Sequence, residues 1–168
     1  MGVSLAICEQ LESMNIPNIK IKWPNDILSG NRKICGILIE NILLGPWVRR
    51  AVIGIGLNVN QESFGELSRA GSLRTVTGTE FDRKQLLQAL IGRLCTKLDA
   101  LEGQRMADLM PNYGRRLFRK DLPSAFKNAD GQTFMGIPRG VGEQGKLRIE
   151  LEDGTLREVG LKEVDLLY

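Results

Sequence analysis

The chain reads as an α+β fold, with helices packed on a largely antiparallel sheet and a small all-β unit after it. Three observations predict this. Three β-rich runs, residues 19–23, 33–44 and 47–58, are separated by short turns. A parallel crossover needs about a dozen residues or more, so the runs should form an antiparallel meander. Apolar residues recur at helical spacing over residues 3–14 and 82–102. After Arg119 that period is lost, and short β runs alternate with glycine turns. The expected division is a main unit over residues 1–119 and a small one over 120–168.

Taken in order, Val3, Ile7, Leu11 and Met14 form the apolar face of a first helix, with Ser4, Glu9, Gln10 and Glu12 expected to be mostly solvated. Asn15-Ile16-Pro17-Asn18 breaks it. Ile19, Ile21 and Trp23 then alternate with Lys20 and Lys22, a strand with one apolar and one cationic face. Pro24 lacks a backbone donor and ends the ladder, and Asn25-Asp26 follows as a turn. Residues 28–32 read as another turn, residues 33–44 as a strand, Gly45-Pro46 as a turn, and residues 47–58 as the next strand. Residues 61–81, with Gly65, Gly71 and Gly78, read as an irregular connection with room for a short helix. Asp82 is placed to cap a helix running to about Glu102, with the stripe Leu86, Leu87, Leu90, Leu94, Leu98 and Leu101. A further helical piece from Gln104 should stop before Pro111. In the last stretch, Asp153-Gly154 between two β runs is a hairpin signal.

Composition removes several function classes. With no histidine among 168 residues, His-based triads and nearly all catalytic zinc sites are excluded. Cys8, Cys35 and Cys95 are far apart, so they read as buried thiols of a reducing cytoplasm rather than a disulfide framework. A net charge of +3 without a basic block argues against nucleic-acid binding. No apolar run reaches the length of a membrane helix, and no secretory leader is evident.

Four places could carry chemistry. Lys22, Asn25 and Asp26 lie within five residues at a strand end, where a cation, an amide and a carboxylate suit a nucleotide phosphate and Mg²⁺. An ordinary strand-to-turn junction would use the same residues. Gly54, Gly56 and Asn58 share one strand face. Either a ligand lies on bare backbone there or a helix packs closely. Gly36 in the neighbouring strand shares a face with Leu38, which could wall an apolar ligand. Lys33 is either solvated or a fixed cation for a carboxylate or phosphate. Strict alternation puts it opposite Gly36, so its stem or a bulge would have to bring the ammonium round. Two motifs are decoys. Residues 140–145 match G-x-G-x-x-G but lead into a strand rather than a helix, and the basic run at 115–120 reads as a solvated linker.

Lys22-Trp23-Pro24-Asn25-Asp26, Lys33-Ile34-Cys35-Gly36-Ile37-Leu38-Ile39-Glu40 and Gly54-Ile55-Gly56-Leu57-Asn58-Val59-Asn60, in that order and at those distances, resemble the biotin–protein ligase family, the biotin–[acetyl-CoA-carboxylase] ligases. The resemblance is strong over residues 3–60, weak over 61–118 and moderate over 121–168. It implies a catalytic sheet like that of class II aminoacyl-tRNA synthetases, mixed and largely antiparallel, followed by a small SH3-like barrel. It implies ATP, Mg²⁺ and biotin, biotinyl-5′-AMP as intermediate, and a lysine of a biotin carboxyl carrier protein as acceptor. By the same resemblance Lys33 is the catalytic cation and a biotin contact, Gly36, Leu38 and Gly56 line the biotin slot, and Lys22, Asn25, Asp26 and Asn58 serve the adenylate, with Asp26 on Mg²⁺. A cytoplasmic location is implied, a homodimer is left open, and no membrane contact is expected.

The family's Ser/Thr-Asn segment and its G-R-G-R-x-G-R loop have no match here, nor has the DNA-binding helix-turn-helix of its repressor-type members. The expectation is a ligase lacking the N-terminal part of its catalytic domain, which ligates poorly. The alternative is a non-catalytic truncated paralogue that binds the carrier protein or a full-length ligase.

Overall fold

The computed structural model describes residues 1–100 and 106–168. Elements run α1 (Gly2–Ser13), β1 (Ile19–Lys22), β2 (Asp26–Ser29), β3 (Arg32–Leu44), β4 (Trp47–Leu57), α2 (Leu73–Thr77), α3 (Arg83–Ala100), α4 (Met106–Arg116), β5 (Ser124–Asn128), β6 (Thr133–Val141), β7 (Leu147–Glu150), β8 (Leu156–Val159) and β9 (Val164–Leu167). One antiparallel sheet has the order β1-β2-β3-β4, and a second has the order β8-β7-β6-β5-β9. The fold is α+β, as the sequence predicts, and the meander holds with one strand more.

That extra strand is β2. Residues 25–32 are not merely turns, because Ile27 and Leu28 are fully buried and Ile27 pairs with both Ile21 and Cys35. Four residues between two turn clusters suffice once a neighbour stands on each side.

The main core gathers Ile7 and Leu11 of α1, Ile21, Ile27 and Ile34 of the sheet, and Leu73. α1 packs against β1, α3 and α4. That crowding buries Ser4 and Gln10 as well, contrary to the expected solvated face. Only Glu9 and Glu12 keep a charged outlook, Glu9 toward Lys97 Nζ at 2.6 Å and Glu12 toward Arg116 at 2.8 and 2.6 Å.

Asp82 caps α3, its Oδ1 accepting the N–H groups of Lys84 and Gln85. Leu86 and Leu90 of the stripe are buried, whereas Leu87 and Leu98 face solvent, since the core covers only one narrow side of this helix. Leu101, Glu102 and Gln104 lie outside the described residues. The next helix does not stop before Pro111 but runs through it to Arg116. The proline forfeits one intrahelical hydrogen bond. Burial of Leu109 and Tyr113 and the two Arg116–Glu12 hydrogen bonds offset that loss.

The run at 115–120 is likewise no plain solvated linker. Leu117 and Phe118 are buried, Leu117 bridges Ile21 in parallel, and Phe118 N–H donates to Ile21 O at 2.8 Å. In the second sheet, residues 140–145 close the β6–β7 hairpin, with Gly142 N–H donating to Lys146 O, so no helix follows them. Asp153-Gly154 closes β7–β8, with Gly154 at φ 79°. Gly136 on β6 is packed so tightly that a Cβ there would collide with Ile149 Cγ2 and lie 3.2 Å from Glu150 O.

Candidate functional site

The site is assembled by strand register. Asp26, Gly36 and Gly56 stand in one row across β2, β3 and β4, and Leu38 stands opposite Gly54 in the next. These positions share one face of the sheet. The other face carries Ile53, Ile55 and Leu57, which line a groove together with Leu86 and Leu90 of α3.

Between β2 and β3 the register slips. Ile27 faces Cys35 but Leu28 faces Lys33, so Ile34 is the extra residue of a bulge. The bulge brings Lys33 round to the face of Gly36. The Lys33 ammonium lies 2.7 Å from Asp26 Oδ1, and a Cβ on Gly36 would sit 3.5 Å from Lys33 Cε and 3.6 Å from Nζ. The side chain therefore stands over bare backbone.

Residues 58–71 hold Lys33 in place. Lys33 N–H donates to Arg69 O at 2.7 Å, and Gly71 N–H donates to Lys33 O at 2.9 Å. Asn58 fastens the same loop, its Nδ2 donating to Gly71 O at 2.9 Å. Among the described residues no helix presses on the glycines. The nearest atoms to a Cβ at Gly54 or Gly56 belong to Leu38 and Gly36 of the paired strand, at 3.6 to 3.8 Å. Of the two readings of Gly54 and Gly56, the close helix is the one this geometry rejects.

A groove of about 730 Å³ results, within the range of small-ligand pockets. Its floor is Gly36 and Gly56, Lys33 and Asn58 stand at its edge, and the loop at 61–70 walls it with Phe64 and Arg69. The last wall is Tyr168, which follows β9 of the second sheet.

The eight residues to which the resemblance gives roles separate into four groups. Lys33, Gly36, Gly56 and Asn58 line the groove, and Asp26 joins them through Lys33. Lys22 lies beside the groove, its Nζ 5.3 Å from the Tyr168 ring centroid. Leu38 is exposed on the same face but outside the lining. Asn25 is turned to the backbone, its Nδ2 donating to Ile37 O and its own carbonyl accepting Ile37 N–H, both at 2.9 Å. Sequence reasoning missed Phe64, Arg69 and Tyr168. An aromatic inside a polar loop was a weak signal for Phe64. Nothing local marks the other two.

Charge at the groove is set by close neighbours. The Asp26 side chain is 15% exposed and Lys33 47%, so the pair is half-buried on its acidic side and open on its basic side. Burial pushes the Cys35 thiol up to about 12, and Asp26 adds to the shift, so Cys35 is no nucleophile at neutral pH. The Tyr168 phenol is raised, first by burial and then by Asp26, while Arg69 and Lys33 pull it down. Among the described residues no group of three or more metal-ligating acid, cysteine or histidine side chains occurs, and no helix is long and apolar enough to cross a membrane. The arrangement suits a flat small molecule lying on the glycine floor with an anionic group at the Lys33 end.

The comparisons with known proteins agree in kind. Residues 1–58 match the biotin/lipoate A/B protein ligase family. The chain is 28% identical over 163 residues to the bifunctional ligase/repressor BirA of Salmonella typhimurium, covering 94% of this chain and 50% of that protein. It is 29% identical over 136 residues to the biotin–[acetyl-CoA-carboxylase] ligase of Mycobacterium tuberculosis, covering 81% of this chain and 49% of that one. The chain thus spans about half the length of these curated relatives. In structure it resembles the apo biotin protein ligase of Aquifex aeolicus, with a TM-score of 0.81 at 26% identity, over 99% of this chain and 72% of that one. The same ligase in complex with biotin and ATP gives a TM-score of 0.80 at 25% identity, over 99% and 71%.

Proposed function

We propose that this chain, which belongs to the biotin protein ligase family, holds biotinyl-5′-AMP in its groove and serves ATP-dependent transfer of biotin to a lysine of a biotin carboxyl carrier protein. The observation that carries this is the Lys33 ammonium, 2.7 Å from Asp26 and poised over the bare Gly36 floor. A fixed cation there neutralises the biotin carboxylate as its oxygen attacks the α-phosphorus of ATP and pyrophosphate leaves with the broken α–β bond, and it neutralises the phosphoryl charge that builds in the transfer. The same cation then steadies the mixed anhydride until the acceptor amine attacks the biotinyl carbonyl carbon and AMP leaves. Gly36 and Gly56 let the ligand lie close to backbone, and Leu38, exposed on the same face beyond the groove lining, offers an apolar contact to a ligand that reaches past it. Asn58 keeps the loop at 61–71 shut over the adenylate, Lys22 serves the phosphates from beside the groove, and Asn25 would have to release Ile37 O before its amide could reach them.

Asp26 fits Mg²⁺ as a single carboxylate ligand, the kind of site that draws its other oxygens from substrate phosphates and water. Bound there, Mg²⁺ would supply neutralisation of phosphate charge. The reading further divides the chain at residues 119 and 120, into a class II synthetase-like catalytic portion and an SH3-like unit. One feature favours a second reading, a non-catalytic module that binds the carrier protein or a full-length ligase. The outer half of the β3–β4 hairpin exposes Leu43, Leu44, Trp47 and Val48, an apolar patch open to a partner.

Calorimetry with biotinyl-5′-AMP on the wild type and Lys33→Ala tests the proposal. The wild type should bind and the variant should lose most of its affinity. Equal binding by both, or none by either, would refute an adenylate site. Carrier binding without adenylate binding would support the second reading.

A further inference from the structure

We infer that Tyr168 is a positioning residue of the groove: its ring holds Arg69 in place as a second cation beside Lys33, facing the phosphoryl end of an acyl adenylate. The inference rests on the adenylate reading above and names a pair of residues that reading did not include.

Tyr168 belongs to the second sheet by chain order, yet its side chain lines a groove built on the first. The Arg69 guanidinium carbon lies 4.5 Å from the Tyr168 ring centroid, well within cation–π reach. Phe118 meets the same ring edge-on, with centroids 5.1 Å apart and planes at 70°. Phe118 is itself buried, so the ring rests against a fixed surface. Trp23 adds an independent tie between the sheets, its indole N–H donating to Gly145 O at 2.9 Å. The ring is thus placed by packing rather than by a loose chain end.

Arg69 is tethered in turn to the Lys33 end of the groove, since its carbonyl accepts the Lys33 N–H at 2.7 Å. None of the ion pairs found among the described residues involves Arg69. The choice of partner has a chemical consequence. A carboxylate would fix Arg69 but cancel its charge. An aromatic ring fixes it through the quadrupole and leaves the full positive charge for a ligand. Lys33, paired with Asp26, and Arg69, held by a ring instead of an acid, thus stand on one backbone tether, an arrangement that a phosphoryl group between two esterified oxygens would engage and that biotin alone would not need at its ring end.

Calorimetry on the full chain, with biotinyl-5′-AMP and with biotin as separate probes, tests this. Tyr168→Ala should weaken biotinyl-5′-AMP about fivefold, the scale of one cation–π contact, and leave biotin binding as it was. Arg69→Ala should weaken the adenylate at least as much. The double variant should be no weaker than Arg69→Ala, because the two residues act as one unit. Tyr168→Phe keeps the ring and should rescue the affinity that alanine loses. Unchanged adenylate binding in Tyr168→Ala, an equal loss for both probes, additive losses in the double variant, or no rescue by phenylalanine would each overturn the inference while leaving the proposed function standing. A wild type that binds neither probe would overturn the adenylate reading and this inference with it.

Discussion

Gly36 is where the free protein and the proposed adenylate make opposite demands, and Gly36→Ala separates them. A Cβ at this position would lie 3.5 Å from Lys33 Cε, 3.6 Å from Nζ and 3.8 Å from Asp26 Oδ1, all ordinary van der Waals distances. Alanine therefore fits the folded chain. Glycine inside a strand costs about 0.5–1 kcal/mol relative to alanine, so the variant should be equally or slightly more stable. That gain corresponds to a rise of roughly 1–4 °C in Tm for a domain of this size. A ligand lying on the floor meets the same methyl as an intrusion, and overpacking costs about 1–3 kcal/mol. At about 1.4 kcal/mol per tenfold, biotinyl-5′-AMP should bind roughly 5- to 150-fold more weakly. Thermal denaturation and calorimetry read the two effects on one sample. A Tm lowered by several degrees would show the floor to be close-packed against protein, and an unchanged affinity would show that no ligand lies on it. Either refutes the reasoning.

Four further outcomes are expected. Gly136→Ala should destabilise by about 1–3 kcal/mol in urea unfolding, because its methyl meets Ile149 Cγ2 in a closed core; a neutral result would show that β7 yields freely. Asp82→Ala removes the acceptor for two N–H groups of α3 and should cost about 1 kcal/mol, whereas an unaltered urea midpoint would mean the cap is idle. Burial raises the Cys8 and Cys35 thiols from 9.0 to about 12, so the folded chain keeps protons that the unfolded chain releases. Their contribution to stability is whole below pH 9.0 and is lost as pH rises toward about 12. At neutral pH exposed Cys95 alone should take up a thiol reagent quickly, and fast labelling of a second thiol would contradict the burial.

What the sequence made legible was local in origin. The alternation at 19–23, the two long β runs and the Asp82 cap each follow from neighbours along the chain, and each is present. Lys33 is the instructive case. Alternation alone put it on the wrong face, and a bulge at Ile34 corrects that. The need for such a bulge could be stated from sequence, but its position depends on how β2 pairs. β2 itself was hidden because four residues flanked by turn formers carry little pattern until two neighbouring strands supply their hydrogen bonds. Pro111 shows the opposite failure, a strong local breaker overruled by burial of Leu109 and Tyr113. Arg69 and Tyr168 lie beyond any local signal, since almost a hundred residues separate them and only the docking of two sheets brings them together.

The hydrogen bond from Trp23 to Gly145 makes the chain its own optical gauge. Of two tryptophans, Trp47 stands 76% exposed at the hairpin tip and Trp23 only 8% exposed at the seam between the sheets. With Trp47→Phe, one emitter remains, its indole N–H spent on the neighbouring sheet and its backbone leading directly into Pro24-Asn25-Asp26. A red shift in that single emission would register the second sheet lifting away. A change in intensity on adding an adenylate would register the groove filling, without any label attached.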